Sequence, residues 1–226
     1  MSALYAWPAA AKVESRIPRD RLFRSAGGGK AIRGLYEEQV ERIDWAFKLF
    51  ERSVNLPPAG GVDEIEVFRV TLRGDRIDDR VLAHIDKAIP HPILFELVRH
   101  APDGDEVQVA AAYKRRSEAD KAQVVTREHW RGKWIPADRE RVPLPQSASL
   151  EGLYAGLLRS LWPHGQRAGE TLRNQVERLS RIATQGKAVD RLRLRLRREG
   201  DFARKTEINR ELRAAQAALK ELTEQA

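Results

Sequence analysis

Glu64-Ile65-Glu66-Val67-Phe68-Arg69-Val70-Thr71-Leu72-Arg73 alternates polar and apolar residues over much of its length, the period-two signature of a strand with one wetted face. Punctuation frames it on both sides. Upstream, residues 54–61 contain Pro57-Pro58 and Gly60-Gly61 and read as a loop. Downstream, Val81, Leu82, Ile85 and Ile89 recur at helical spacing over residues 78–88, and Pro90 stops the helix because it lacks a backbone donor. A strand followed at once by a helix, with more strands beyond, is the beginning of an α+β pattern.

Working outward from this pair, residues 93–98, 107–113 and 124–135 are further strand candidates, the last with a bend expected at Gly132. Residues 150–161 form an amphipathic helix ended by Pro163 and Gly165. Toward the N-terminus, Gly27-Gly28-Gly29 makes a loop that opens onto a helix from Lys30 to about Arg42. The aromatic run over residues 43–50 fits either an extension of that helix or a strand. The expectation for residues 1–166 is an α+β domain whose mixed sheet of about four or five strands is flanked by helices.

Residues 167–226 have another character. Leu172, Val176, Leu179, Ile182, Val189, Leu192 and Leu196 fall mostly three or four apart, and Ile208, Leu212, Ala215, Leu219 and Leu222 form a heptad-like stripe. Between them, Gly200 suits a left-handed helix end and Asp201 an N-cap. An antiparallel, coiled-coil-like helical hairpin follows, an arm expected to project or to dock on another chain, a second copy included.

Charge divides along the same line. Of 41 Lys and Arg against 33 Asp and Glu, residues 167–226 hold 15 and 9, so this quarter of the chain carries +6 of the net +8. Lys187, Arg191, Arg193, Arg195, Arg197 and Arg198 stand against the single acid Asp190. Such a run suits a polyanion or an acidic partner; it also suits a long helix kept solvated by arginine heads while their stems cover apolar surface.

The chain has no cysteine, which excludes disulfides, thiolate metal sites and thiol nucleophiles. No run of 18 apolar residues is present, and the apolar stretch from Ala3 to Ala11 is broken by Pro8 with no basic residue ahead of it, so neither a membrane span nor a secretory leader is expected. A cytoplasmic, bacterial-type setting is the expectation, with no cofactor and no bound metal. Gly27-Gly28-Gly29-Lys30 fails as a phosphate-binding loop, because Arg24 stands where glycine is needed and Ala31 where Ser or Thr is needed. The histidines at 84, 91, 100, 129 and 164 show no helical metal spacing, though His84 and His91 flank the helix stop and could approach each other.

Two constellations remain as candidate chemistry. Asp86, Glu96 and Lys114 are the nearest approach to the carboxylate pair and lysine of a restriction-type, metal-dependent nuclease, although Glu96 is followed by Leu97-Val98 and the lysine must come from a neighbouring strand. Lys114-Arg115-Arg116, Arg127, Arg131 and Lys133 interleave with Trp130 and Trp134, which would share one face of a regular strand. That suits stacking on unpaired bases, or equally a half-buried sheet.

Several stretches, Ile43-Asp44-Trp45-Ala46-Phe47-Lys48-Leu49 with Asn55-Leu56-Pro57, Ile89-Pro90-His91-Pro92-Ile93-Leu94-Phe95-Glu96-Leu97, Ala111-Ala112-Tyr113-Lys114-Arg115 and Phe202-Ala203-Arg204-Lys205-Thr206-Glu207-Ile208-Asn209, resemble a bacterial family known as a domain of unknown function. The resemblance brings no catalytic residues with it. It implies a genomic setting beside helicase-like ATPases and DNA methyltransferases, in operons similar to restriction and anti-phage defence clusters. Within the last of these stretches, Arg204, Lys205, Glu207 and Asn209 crowd the expected hairpin tip, as a recognition surface or as a helix whose Arg204 and Glu207 pair at a spacing of three. The leading expectation is a non-catalytic accessory subunit that binds such an ATPase or methyltransferase and touches DNA through its arginines. A metal-dependent nuclease and a stand-alone DNA-binding protein are the alternatives.

Overall fold

The alternation at residues 64–73 forms the third strand of one mixed sheet in a computed structural model that describes residues 3–116 and 124–224, without the side chains of residues 116 and 124–127. In chain order the elements are β1 (Lys12–Arg16), α1 (Arg19–Ala26), α2 (Lys30–Gln39), β2 (Val40–Phe50), α3 (Glu51–Val54), β3 (Glu64–Leu72), α4 (Asp79–Ala88), β4 (Ile93–Ala101), β5 (Gly104–Arg116), β6 (Val124–Pro136), α5 (Leu150–Arg159), α6 (Leu172–Arg198) and α7 (Phe202–Thr223). The chain divides into two compact units, Met1–Trp162 and Pro163–Ala226.

The sheet has six strands in the order β1-β2-β3-β4-β5-β6, not the four or five expected. Two readings account for the difference. The aromatic run at 43–50 is strand, entered directly from α2 with no intervening turn residue to signal the change. β1 is Lys12-Val13-Glu14-Ser15-Arg16, almost entirely exposed, so it lacks the apolar alternation that reveals a strand. All neighbours pair antiparallel except β3 and β4, which are parallel and joined through α4. That helix begins on Asp78, whose carboxylate accepts from Arg80 N, and it buries Val81, Leu82 and Ile85. On its side of the sheet the core comprises Phe68, Val70, Phe95, Leu97 and Ala110, with Leu22 and Phe23 from α1 and Tyr36 from α2. On the opposite side, α5 meets β3 and β5 and buries Leu150, Leu153, Tyr154, Leu157 and Leu158. The Tyr154 hydroxyl accepts from Lys114 N at 2.8 Å and donates to Ala112 O at 2.7 Å, satisfying β5 backbone just beyond its last pair with β4, Leu94–Ala111.

Bulges re-aim three key side chains. Between Trp45 and Phe47 the β2–β3 register slips by one residue, so Trp45, opposite Phe68, and Lys48, opposite Glu66, share the α4 face despite being three apart. In β6 the register slips between the pairs Ala110–Arg131 and Gln108–Trp134, at Gly132, as the expected bend requires, and Gln108 Nε2 donates to Gly132 O at 2.9 Å. This slip overturns the expectation that Trp130 and Trp134 share a face. Trp130 lies opposite Ala111 on the α5 side, while Trp134 packs against the α4-side core with Arg99 stacked 4.3 Å from its ring centroid. The sequence Gly27-Gly28 turns α1 into α2. Gly28 has φ +127°, and a Cβ there would meet Ile32, Phe23 and His84 at 2.8–3.1 Å, so the position admits only glycine without movement.

In the second unit, α6 and α7 pack together in antiparallel sense: Gln185 Nε2 donates to Ala215 O and Arg195 pairs with Glu211 at 3.6 Å. Val176, Leu179 and Val189 are buried on α6, Ile208 and Leu212 on α7. Asp201 caps α7 as expected, accepting from Arg204 N. The helix end at Gly200 differs from expectation. Gly200 is not left-handed; α6 stops because Glu199 turns extended, and Glu199 Oε1 then accepts from the amides of Gly200 and Asp201. At the other end Arg178 forms a two-pronged contact with Glu170, and Arg167 donates to the carbonyls of Glu221, Leu222 and Glu224, supplying the last turn of α7 with donors.

Candidate functional site

Asp86 and Lys114 do meet. They come from the last turn of α4 and the far end of β5, and Lys114 Nζ lies 2.8 Å from Asp86 Oδ1 with both side chains almost wholly buried. The remaining donors of the ammonium go to Ile89 O and His91 O, each at 2.8 Å, so the lysine closes the carbonyls just past α4. Burial pushes the Lys114 ammonium below the usual lysine range, with Asp86 opposing the shift. The second oxygen of Asp86 lies 2.6 Å from His129 Nε2, a partner from β6 that sequence spacing had no means of supplying, 43 positions away.

Glu96 does not join this group. Alternation along β4 turns Phe95 toward α4 and Glu96 to the other face, where its carboxylate takes Trp7 Nε1 at 2.8 Å, Arg141 at 2.7 Å and Arg69 at 2.9 Å. Burial opposes ionisation of Glu96, but the contacts with Arg141, Trp7 and Arg69 outweigh it and hold the carboxyl below its usual range. The sheet thus separates Glu96 from Asp86 and Lys114, and the three do not face a common substrate position. Among the described residues no group of three or more His, Asp or Glu side chains is arranged to hold a metal ion. His84 and His91 engage different partners. His84 bonds Tyr36 and Gly27 O, at 2.9 and 2.7 Å, while His91 lies 3.0 Å from Glu64.

A third buried acid escaped sequence reasoning. Glu66 of β3 is 3% exposed, and its carboxylate accepts from Trp45 Nε1. Burial, reinforced by a hydrogen bond with Glu64, pushes its carboxyl up to about 8. The bulge in β2 is what aims Trp45 and Lys48 at it, and period-two reading of β2 hides that.

The hairpin residues have a different environment. Lys187, Arg191, Arg193, Arg195, Arg197, Arg198, Arg204, Lys205, Glu207 and Asn209 are all exposed. Arg193 pairs with Asp190 at 3.3 Å and Arg195 with Glu211 at 3.6 Å. Glu207 pairs with Arg210 at 4.0 Å rather than with Arg204 as its spacing suggested. Lys187, Arg197, Arg198, Arg204 and Lys205 have no acidic partner among the described residues. Beside the last four of these, at the start of α7, Phe202 is 83% exposed, the most exposed large apolar side chain among the described residues. Of the basic and indole residues proposed for the sheet, Arg131 is engaged with Asp79 and Ile77 O, and the side chains of Arg116 and Arg127 lie outside the described ones.

A family model for a domain of unknown function, DUF4391, matches residues 6–219. The chain belongs to the DUF4391 family. The match runs through the whole sheet and nearly to the end of α7, so the hairpin is part of what defines a DUF4391 chain rather than an appended tail. No curated protein and no solved structure matches the chain. No helix among the described residues is long and apolar enough to cross a membrane.

Proposed function

We propose that this DUF4391 chain is a non-catalytic accessory subunit that docks an acidic protein partner through the tip of its helical hairpin. The observation that carries this reading is the tip itself, where an 83% exposed Phe202 is set among cations with no acidic partner. Interface energy concentrates in aromatic and arginine side chains that become desolvated on docking, and unpaired charge steers the encounter. Asp86, Lys114 and Glu96 are engaged in internal contacts, which favours binding over nuclease chemistry. The partners proposed are a helicase-like ATPase or a DNA methyltransferase, in a cytoplasmic restriction or anti-phage defence system, with DNA contacted through the same arginines.

The test is co-purification of the full chain with the products of neighbouring genes, repeated with Phe202→Ser and with Arg197→Glu/Arg198→Glu. Association lost in both variants, with thermal unfolding unchanged, is the expected result. Association that survives both, or a wild-type chain that remains alone with every neighbour, overturns the reading. A DNA affinity that falls steeply with salt, in the absence of any protein association, would instead favour the stand-alone DNA-binding protein.

A further inference from the structure

A cavity of about 310 Å³ opens on the α4 side of the sheet, between α1, the first three strands and the segment joining α4 to β4. Its floor is apolar and buried, including Leu22 and Phe68, with Glu66 and Trp45 beside them; its rim is exposed, with Ser15, Arg21 and Ser25. The size is at the lower end for small-molecule sites, and apolar walls around one deep polar group are the usual composition of such sites.

The ionisable groups around the floor are unequally matched. Glu64 is already matched, by Lys48 and by His91 Nε2 at 3.0 Å. Among the described residues Glu66 has the indole N–H of Trp45 and the neighbouring Glu64 carboxyl, so two acids adjoin one lysine that pairs with Glu64. Lys114 feels Glu66 from β5, but its three donors go to Asp86, Ile89 O and His91 O. Arg21, on the α1 rim, is exposed. The cavity thus holds a buried carboxyl with no cation of its own among the described residues, beside an aromatic ring suited to cations.

We propose that this cavity is a binding site for a small organic cation, an amidinium or ammonium on a compact apolar body, whose charge pairs with Glu66 beside Trp45. The apolar body would lie against Leu22, Phe68 and Ile89. Because Glu66 keeps its proton while the cavity is unliganded, binding expels it: the carboxylic O–H breaks, the proton leaves to buffer, and the carboxylate pairs with the ligand. Lys48, Glu64, His91, Lys114 and Arg21 are the charged or titratable groups that face this exchange.

The experiment is calorimetric titration of the full-length protein near neutral pH with benzamidine, and with neutral benzamide of the same shape, in two buffers of different ionisation enthalpy. Saturable benzamidine binding, release of close to one proton per ligand, and at least tenfold weaker binding of benzamide are expected. Glu66→Gln should weaken benzamidine at least tenfold and abolish proton release, with the circular dichroism spectrum retained. Ala88→Leu narrows the cavity from α4 without touching the carboxyl and should also block binding, so it decides the matter if Glu66→Gln fails to fold. No saturation up to about 10 mM benzamidine, equal binding of benzamide, or binding unaltered by the substitutions overturns the proposal.

Discussion

Glu66→Gln should remove a pH dependence of stability that the native chain carries into the alkaline range. The Glu66 carboxyl is pushed from an ordinary 4.5 to about 8, by burial first and by its hydrogen bond with Glu64 second. Between those two values the folded chain holds a proton that the unfolded chain has released, so stability is fully present below 4.5 and declines as pH rises toward about 8. A displacement of that size corresponds to at most about 5 kcal/mol over the whole interval. Glutamine fills nearly the same volume, offers Glu64 an N–H donor and cannot ionise. Urea unfolding of both proteins across this range, with m-values checked for equality, gives the difference directly. Groups common to both chains, such as the histidines, cancel in it. The variant should gain on the wild type steadily as pH rises, by several kcal/mol in all. Parallel curves would refute the reasoning, because they would mean that Glu66 ionises in the folded chain as easily as in the unfolded one.

Other buried groups give predictions with different signs. Glu96 is held below the usual carboxylate range, so its contribution is present above the unfolded value of 4.5 and is lost as pH falls through the lower folded value. Glu96→Gln should cost about 1.5–3 kcal/mol near neutrality, since the charge-assisted hydrogen bonds from the partly exposed Arg69 and Arg141 are weakened, and should flatten the acid limb of the unfolding curve. Lys114→Met should cost about 3–5 kcal/mol by stranding Asp86, and adding Asp86→Asn should recover part of it; strictly additive effects in the double-mutant cycle would rule out the pairing. Tyr154→Phe strands Lys114 N and Ala112 O and should cost about 1–3 kcal/mol for each group left without a partner, measured by thermal or urea unfolding.

The alternation at 64–73, the helix stopped by Pro90, the bend at Gly132 and the N-cap at Asp201 were legible because each depends on a local rule: pleat period, a missing N–H, freedom at glycine, a carboxylate facing free amides. What escaped depends on registration between strands. The slip at Gly132 places Trp130 and Trp134 on opposite faces, whereas an unbroken strand would place them together. The bulge after Trp45 gathers Trp45 and Lys48 around Glu66, and neither position announces this in the sequence. β1 was invisible for a plainer reason, since an exposed edge strand of Lys, Glu, Ser and Arg has no apolar face to show. Of the nuclease-like set, Asp86 and Lys114 lie together as a buried ion pair rather than around a metal, and His129 joins them across 43 positions, a contact that leaves no trace in spacing.

Both carboxylates once suspected of catalysis are saturated. The Oε1 atom of Glu96 takes Trp7 and Arg141 and its Oε2 takes Arg69, while each oxygen of Asp86 has its own cation or imidazole. A metal or substrate arriving there would have to replace contacts already made to buried carboxylates, and leaving the buried Lys114 without a partner costs several kcal/mol. Ionisable groups without a partner of opposite charge among the described residues lie elsewhere: Glu66, which retains its proton on a cavity floor, and Arg197, Arg198, Arg204 and Lys205, exposed near a bare Phe202. A fold that neutralises Asp86 and Glu96 so fully gains nothing in stability from leaving Glu66 and the hairpin tip unmatched. In the proposed readings a small organic cation completes Glu66 and an acidic protein surface completes the hairpin tip.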